Sequence, residues 1–321
     1  MNYASGRAAQ RLKGDQHMTT VASTVATVSL PDTLAGLRAT LDERLASLLP
    51  IPMDAGDLVC LAMRESTLAP GKRVRPILMI LAAQELGYDA PDLFDLGCAI
   101  EMVHSASLIL DDMPCMDNAE LRRGRPTIHR RYGEDVAVLA SVALLSHAFR
   151  VVAGLSDTAP VLRNQLVASM AEVVGTQGLV RGQYKDLREG STQRGAEDIV
   201  GTNELKTGVL FGTALEMAGL LAGASDSTRQ SLRNFAMELG QAFQLYDDLQ
   251  DRKGSTDTGK DSCKDQGKST LLALLGFKEV KRRLDAHVCA ADAELTQVYG
   301  KNSSISLYLN GLFQTAQANR N

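Results

Sequence analysis

The sequence predicts an all-α fold, and three observations carry that reading. Only 4% of the 321 residues are aromatic, so the usual strand formers are scarce. All nine prolines lie at or before Pro160, which frees the second half from the strongest helix breaker. Apolar residues recur every three or four positions in long stretches, the period of a helix with one buried face.

Taken in order, Leu34, Leu37, Leu41, Leu45 and Leu48 give the first such stripe, and Leu93, Leu96, Ile100 and Val103 the second. Leu232, Phe235, Leu239, Ala242 and Tyr246 repeat it near the end. Glycine-rich or polar breaks near 154–160, 188–195, 223–228 and 252–268 read as helix connections, because none has the length of a featureless domain linker. Residues 1–29 carry Arg7, Arg11 and Lys13 against Asp15. Their "VASTVATVSL" stretch is too short and hydroxyl-rich for a signal-peptide core, so they read as a disordered leader, with Met18 an alternative start. No uninterrupted apolar run reaches the roughly 20 residues of a membrane span.

A hydrophobic content of 45% fills a sizeable core, while a formal net charge of −4 gives no global field toward nucleic acid or an anionic membrane. Anionic ligands must be caught locally. The five cysteines, Cys60, Cys98, Cys115, Cys263 and Cys289, show no CxxC spacing, which reads as a reducing cytoplasmic setting without structural zinc.

The chemistry concentrates in two acidic clusters that each close an apolar stripe: Asp111, Asp112 and Asp117 in "LILDDMPCMD", and Asp247, Asp248 and Asp251 in "FQLYDDLQD". Asp247 and Asp251 share one helical face with Cβ atoms about 5–6 Å apart, where like charges repel unless a cation intervenes. Six residues turn an ideal helix by about 600°, which would part Asp111 from Asp117. Pro114 should kink or bulge the helix and turn Asp117 back. Hard carboxylate oxygens suit Mg²⁺, which keeps waters and shares its shell with substrate phosphates. Neither cluster has the alternating ligands and central glycine of an EF-hand. Acids at helix ends are ordinarily solvated surface; two sets, both on greasy stripes, favour a metal site.

Cations answer them beside turn signals: Lys72, Arg73 and Arg75 in "PGKRVRP", Arg122, Arg123 and Arg125 in "LRRGRP", Lys206 with Thr207 in "ELKTG", and Lys260, Lys264 and Lys268 in "TGKDSCKDQGKSTL". Arg grips phosphate as a fork and Lys as a point charge. The last stretch reads as a flexible flap. Its "GKST" is not a P-loop, since Ser262 stands where the upstream glycine belongs and no strand precedes it. His104 lies seven residues before Asp111, on nearly the same helical face, which makes it a phosphate contact.

These motifs, with "GLVRGQYKDL" and "GQAFQLYDDLQD", occur in the order of one family: from Leu30 to about residue 315 the chain resembles the trans-isoprenyl diphosphate synthases, most closely bacterial geranylgeranyl diphosphate synthases of carotenoid pathways. The resemblance implies a single-domain bundle of long antiparallel helices around a central cavity, spanning 30–321 and usually homodimeric. It implies head-to-tail coupling of isopentenyl diphosphate to an allylic diphosphate, with three Mg²⁺ ions per site and Mn²⁺ as a substitute. By that likeness Asp111, Asp117 and Asp247 bind metal, supported by Asp112, Asp248 and Asp251. Arg122, Lys206, Thr207, Gln244, Lys260 and Lys268 surround the allylic diphosphate, and Lys72, Arg75, His104 and Arg123 form the isopentenyl pocket. Gln183 and Asp186 match a motif of less decisive role. In that family, bulk at the fourth and fifth residues before the first aspartate stops the growing tail. Here they are the small Ser107 and Ala106, which implies the twenty-carbon product. A farnesyl diphosphate synthase is the alternative within the class. A silent regulatory subunit would tend to lose an acidic cluster; a terpene cyclase would need no isopentenyl pocket; a plain helical interaction protein would release no diphosphate.

Overall fold

The structure is a computed structural model that describes residues 30–189, 194–251 and 270–318. Helices α1 (Leu30–Leu48), α2 (Leu58–Leu68), α3 (Val74–Glu85) and α4 (Asp92–Asp111) are followed by a hairpin of two-residue strands, Leu121–Arg122 and Arg125–Pro126. Then come α5 (Ile128–Tyr132), α6 (Glu134–Ala153), α7 (Pro160–Val174), α8 (Leu179–Glu189) and α9 (Ala196–Asn203). A π-helical turn at Glu204–Gly208 leads into α10 (Val209–Leu221), α11 (Asp226–Asp251), α12 (Leu271–Tyr299) and α13 (Ser304–Ala318). The all-α prediction holds, and the three apolar stripes fall on α1, α4 and α11.

Local chemistry explains the boundaries. Asp57 caps α2 by accepting from the Cys60 amide at 3.3 Å, and Thr270 caps α12 by accepting from Ala273 N–H at 3.1 Å. Pro160 opens α7, where its missing N–H costs nothing. Helix α12 bends at Gly276, whose φ of 75° suits a residue without a Cβ.

Burial sets the architecture. Leu93, Leu96, Ala99, Ile100, Met102, Val103, Ala106 and Ile109 are all sealed, so α4 is apolar nearly all round and runs through the core between α3 and α6. A smaller apolar cluster of Ala242, Leu245, Leu249, Leu271, Val280 and Leu284 joins the end of α11 to α12. The two acidic clusters thus sit at the ends of two helices that packing holds rigid. Truncating a sealed residue such as Leu96 would cost about 2–5 kcal/mol.

By length and hydropathy α4 and α6 are each apolar enough to cross a membrane. Neither holds an uninterrupted apolar run of that length, because Glu101 and His104 break the first and His147 the second. Core helices of globular bundles have the same composition, and α4 is mostly buried.

Candidate active site

Helix α4 stops at Asp111, one point where the structure departs from the kinked or bulged helix expected there. Residues before a proline avoid the α region, and Pro114 ends the helix outright. The chain then doubles back: the Asp117 amide donates to the Asp111 carbonyl at 2.9 Å, Asn118 N–H to Met113 at 3.0 Å, and Ala119 N–H to Asp112 at 3.2 Å. Six residues therefore return Asp117 to the end of α4.

The adjacent aspartates divide the labour. Asp112 is buried, and both its oxygens accept from Arg122, Nε at 2.8 and 2.9 Å and Nη2 at 2.5 Å. Its metal role expected from sequence is the one this geometry does not favour, because its oxygens are committed to the guanidinium. Asp111 stays half-buried. In the second cluster Asp248 is buried and Asp247 exposed, the same division. Asp111 is the last residue of α4, where the macrodipole is negative and a carboxylate is disfavoured. Burial pushes Asp111 up to about 6, with Lys206 opposing and Asp117 adding to the shift.

Between the clusters lies the π-helical turn, which periodicity could not reveal. It is pinned between two glycines: a Cβ on Gly182 of α8 would fall 2.6 Å from the Lys206 nitrogen, and one on Gly240 of α11 would fall 2.6 Å from Gly208 Cα. Such single-turn π segments recur at functional sites. Here the turn aims Lys206 at one cluster and Thr207 at the other. Lys206 Nζ donates to Asp186 at 2.8 Å. Burial works against its charge, but Asp111, Asp186 and Asp117 more than offset this and hold it above the usual lysine range. Thr207 Oγ1 donates to Gln244 Oε1 at 3.4 Å, and Gln244 Nε2 donates to Asp248 at 3.0 Å.

The third side is cationic. The Arg75 guanidinium lies 4.5 Å from the Phe211 ring centroid, and its buried Nε has no hydrogen-bond partner. Burial pulls it down to about 10 against the opposing fields of Glu101 and Asp247. Lys72 Nζ sits 5.9 Å from the Tyr246 ring centroid, beside Asp247 in the chain. Burial, then the fields of Arg75, Arg123, Arg122 and Arg73, hold His104 well below the ordinary histidine value, so it is neutral. Arg73, by contrast, is a fold residue: buried at φ 49°, it donates to Glu101 and Asp42 at 2.8 Å each.

Arg123 reaches this pocket from the hairpin, where Leu121 pairs with Pro126 and Arg122 with Arg125. Arg123 and Gly124 occupy the turn with φ of 55° and 74°, a left-handed pair that ordinarily selects Asn-Gly or Gly-Gly. The Arg123 guanidinium crosses Gly71 and donates to the Pro70 carbonyl at 3.1 Å. Strain at an arginine points to use of its side chain. Arg123→Gly should leave stability within about 1 kcal/mol, because strain relief and chain entropy oppose each other. It should raise the KM for isopentenyl diphosphate at least about tenfold, a loss of one charge-assisted contact; an unchanged KM would remove Arg123 from the pocket.

Of the chain-length positions, Ala106 is sealed, its carbonyl 3.4 Å from the Ser141 hydroxyl of α6. Ser107 is half-buried and donates to the His104 carbonyl at 2.8 Å. Gln183, one turn before Asp186, has both amide atoms buried without a partner. Lys260, Lys264, Lys268 and the 252–268 flap lie outside the described residues, as does the Asp251 side chain. Among the described residues no three His, Cys, Asp or Glu side chains form a closed metal cage. An open pair of acidic ends fits Mg²⁺, which completes its shell with phosphate and water.

The chain is similar to known proteins over most of its length. The family model described as polyprenyl synthetase matches residues 57–301. A geranylgeranyl diphosphate synthase of Pantoea ananas is 53% identical over 267 residues, covering 83% of this chain and 87% of that protein. An FPP/GFPP synthase from Zymomonas mobilis superposes with a TM-score of 0.77 at 32% identity over 86% of this chain and 96% of its own. A geranyltransferase from Helicobacter pylori, solved with magnesium and isoprenyl diphosphate, gives 0.80 at 25% identity over 90% and 98%. The chain belongs to the polyprenyl synthetase family.

Proposed function

We propose that this prenyltransferase couples isopentenyl diphosphate to dimethylallyl, geranyl or farnesyl diphosphate and releases geranylgeranyl diphosphate. The observation that carries the reading is the π-helical turn, which sets Lys206 in the field of Asp111 and Asp117 and ties Thr207 through Gln244 to Asp248. A site acidic at two ends and cationic between them suits a metal-bound diphosphate. The resemblance to the Pantoea ananas enzyme supports the twenty-carbon product.

In this reading Asp111, Asp117, Asp247 and Asp251 hold Mg²⁺, three ions in all, with Mn²⁺ as a substitute. Mg²⁺ held by these carboxylates would neutralise charge growing on the departing diphosphate. Lys206, Thr207, Gln244 and Arg122, the last fixed by Asp112, orient the allylic diphosphate, and the resemblance gives Lys260 and Lys268 the same role. As the allylic C–O bond breaks, its electron pair leaves with the diphosphate. These preorganised cations stabilise that charge where it develops. Arg75, Arg123, Lys72 and neutral His104, which can still donate one N–H, hold isopentenyl diphosphate with its double bond toward the allylic carbon. The alkene electrons form the new C–C bond, and the proton lost from the neighbouring carbon passes to the released diphosphate. No protein base is needed. The apolar face of α4 below Asp111 lines the slot for the tail and keeps water from the cation.

Purified protein incubated with Mg²⁺, labelled isopentenyl diphosphate and each allylic starter should yield a C20 product, and none after chelation by EDTA. A C15 product alone would favour the farnesyl reading, and no product at all would favour a silent subunit.

We place residues 30–321 in one synthase domain, supported by the Tyr299 hydroxyl donating at 3.1 Å to the Ala82 carbonyl 217 residues away. A cytoplasmic setting is supported by Cys60, Cys98, Cys115 and Cys289, all free thiols. A homodimer is supported by Val138, Leu139 and Val142, which leave an apolar face of α6 exposed. Val142→Glu should halve the mass in light scattering; a mass equal to the wild type would put the interface elsewhere.

A further inference from the structure

We infer that Arg194 is a positioning residue that releases Lys206 from Asp186 to the allylic diphosphate, an inference that rests on the function proposed for Lys206. Neither the motifs nor the acidic stripes point to Arg194, which precedes α9. Its side chain is 6% exposed, with Nη2 3.9 Å from Asp186 Oδ1, while Lys206 takes Oδ2 of the same carboxylate at 2.8 Å. The two cations differ in freedom. Arg194 is anchored from behind, Nη1 donating to Thr202 Oγ1 at 3.2 Å, and Thr202 in turn donating to the Asp198 carbonyl at 2.9 Å. Lys206 is 27% exposed and faces Asp111 and Asp117.

Lys206 has to leave Asp186, wholly or in part, to meet a phosphate oxygen. Asp186 is 15% exposed, and pulling Lys206 away costs its carboxylate a charge-assisted hydrogen bond. Arg194 already stands at the other oxygen and can close the gap with a small movement, so the ion pair is exchanged rather than broken. The gly-gly clamp on the π-helical turn keeps the Lys206 backbone still, and only its side chain need swing. Without Arg194, Asp186 holds Lys206 harder and the diphosphate competes less well.

The test is a double-mutant cycle on the full chain with Mg²⁺, reading the KM for each substrate and kcat. Arg194→Met should raise the allylic KM about tenfold with the isopentenyl KM unchanged, and Arg194→Lys should restore most of the loss. In an Asp186→Asn background, which has no carboxylate to compensate, adding Arg194→Met should change the allylic KM less than twofold. Multiplying effects, or equal losses for both substrates, would reduce Arg194 to a packing role and overturn the inference. Arg194→Met that fails to fold leaves Arg194→Lys and Arg194→Gln, whose allylic KM must rise in that order. Lys206→Met separates the two levels: if it leaves the allylic KM untouched, the role of Lys206 itself fails.

Discussion

Asp111→Asn should lower turnover by about 10²–10³-fold, the scale of losing one preorganised partner to charge that develops in the transition state. The metal-free protein should nevertheless melt at the same temperature or higher. Asp111 is half-buried at the negative end of α4, close to Asp117, with Lys206 and Arg122 opposing that repulsion. The pH dependence follows from the sign of its shift. Burial raises Asp111 from 3.8 to about 6, so the folded chain binds the proton more tightly than the unfolded chain does. The charge therefore destabilises the metal-free fold increasingly as pH climbs from about 4 to 6, and this destabilisation is complete above that range. The stability gained by asparagine should appear above pH 6 and vanish below about pH 4. Thermal melts at pH 4 and pH 8, paired with product assays, check both halves. Wild-type turnover would sever Asp111 from the chemistry.

Ala106→Phe should shorten the product from C20 to C15. Ala106 lies five residues before Asp111, about 7.5 Å along the axis, and is sealed between α4 and α6. A ring there occupies space worth several methylenes. Overpacking costs about 1–3 kcal/mol, so a lower melting temperature should accompany the change. Ser107→Phe should shorten the product with less destabilisation, since Ser107 is not sealed. Chromatography of dephosphorylated products reads the outcome. C20 as the main product from both variants would mean that the tail runs along another face.

Much of this was legible in the sequence. Spacing alone marks the stripes of α1, α4 and α11, and the acid and base motifs appear in chain order. The geometry between motifs was not legible. Nothing in "ELKTG" announces a π-helical turn, because the turn exists only where Gly182 and Gly240 let two helices press against it. The neighbours Arg73 and Arg75 look equivalent in "PGKRVRP". Burial by Glu101 and Asp42 makes the first a fold residue, and Phe211 leaves the second aimed at the cleft. Asp112 reads as a ligand until Arg122 is seen to occupy both its oxygens. Each case turns on a partner ten or more residues away in the chain, which periodicity does not report. A single glycine opposite Lys206, at position 182, was the one visible signal in "GLVRGQYKDL".

The most direct test is a crystal structure with Mg²⁺ and an unreactive thio-analogue of an allylic diphosphate. The account predicts metal ions about 2.0–2.1 Å from oxygens of Asp111 and Asp247, bridged by one diphosphate that Lys206 also touches, with the hydrocarbon beside Ser107. A diphosphate bound away from Lys206, or metal at only one acidic cluster with Asp247 turned to solvent, would contradict it.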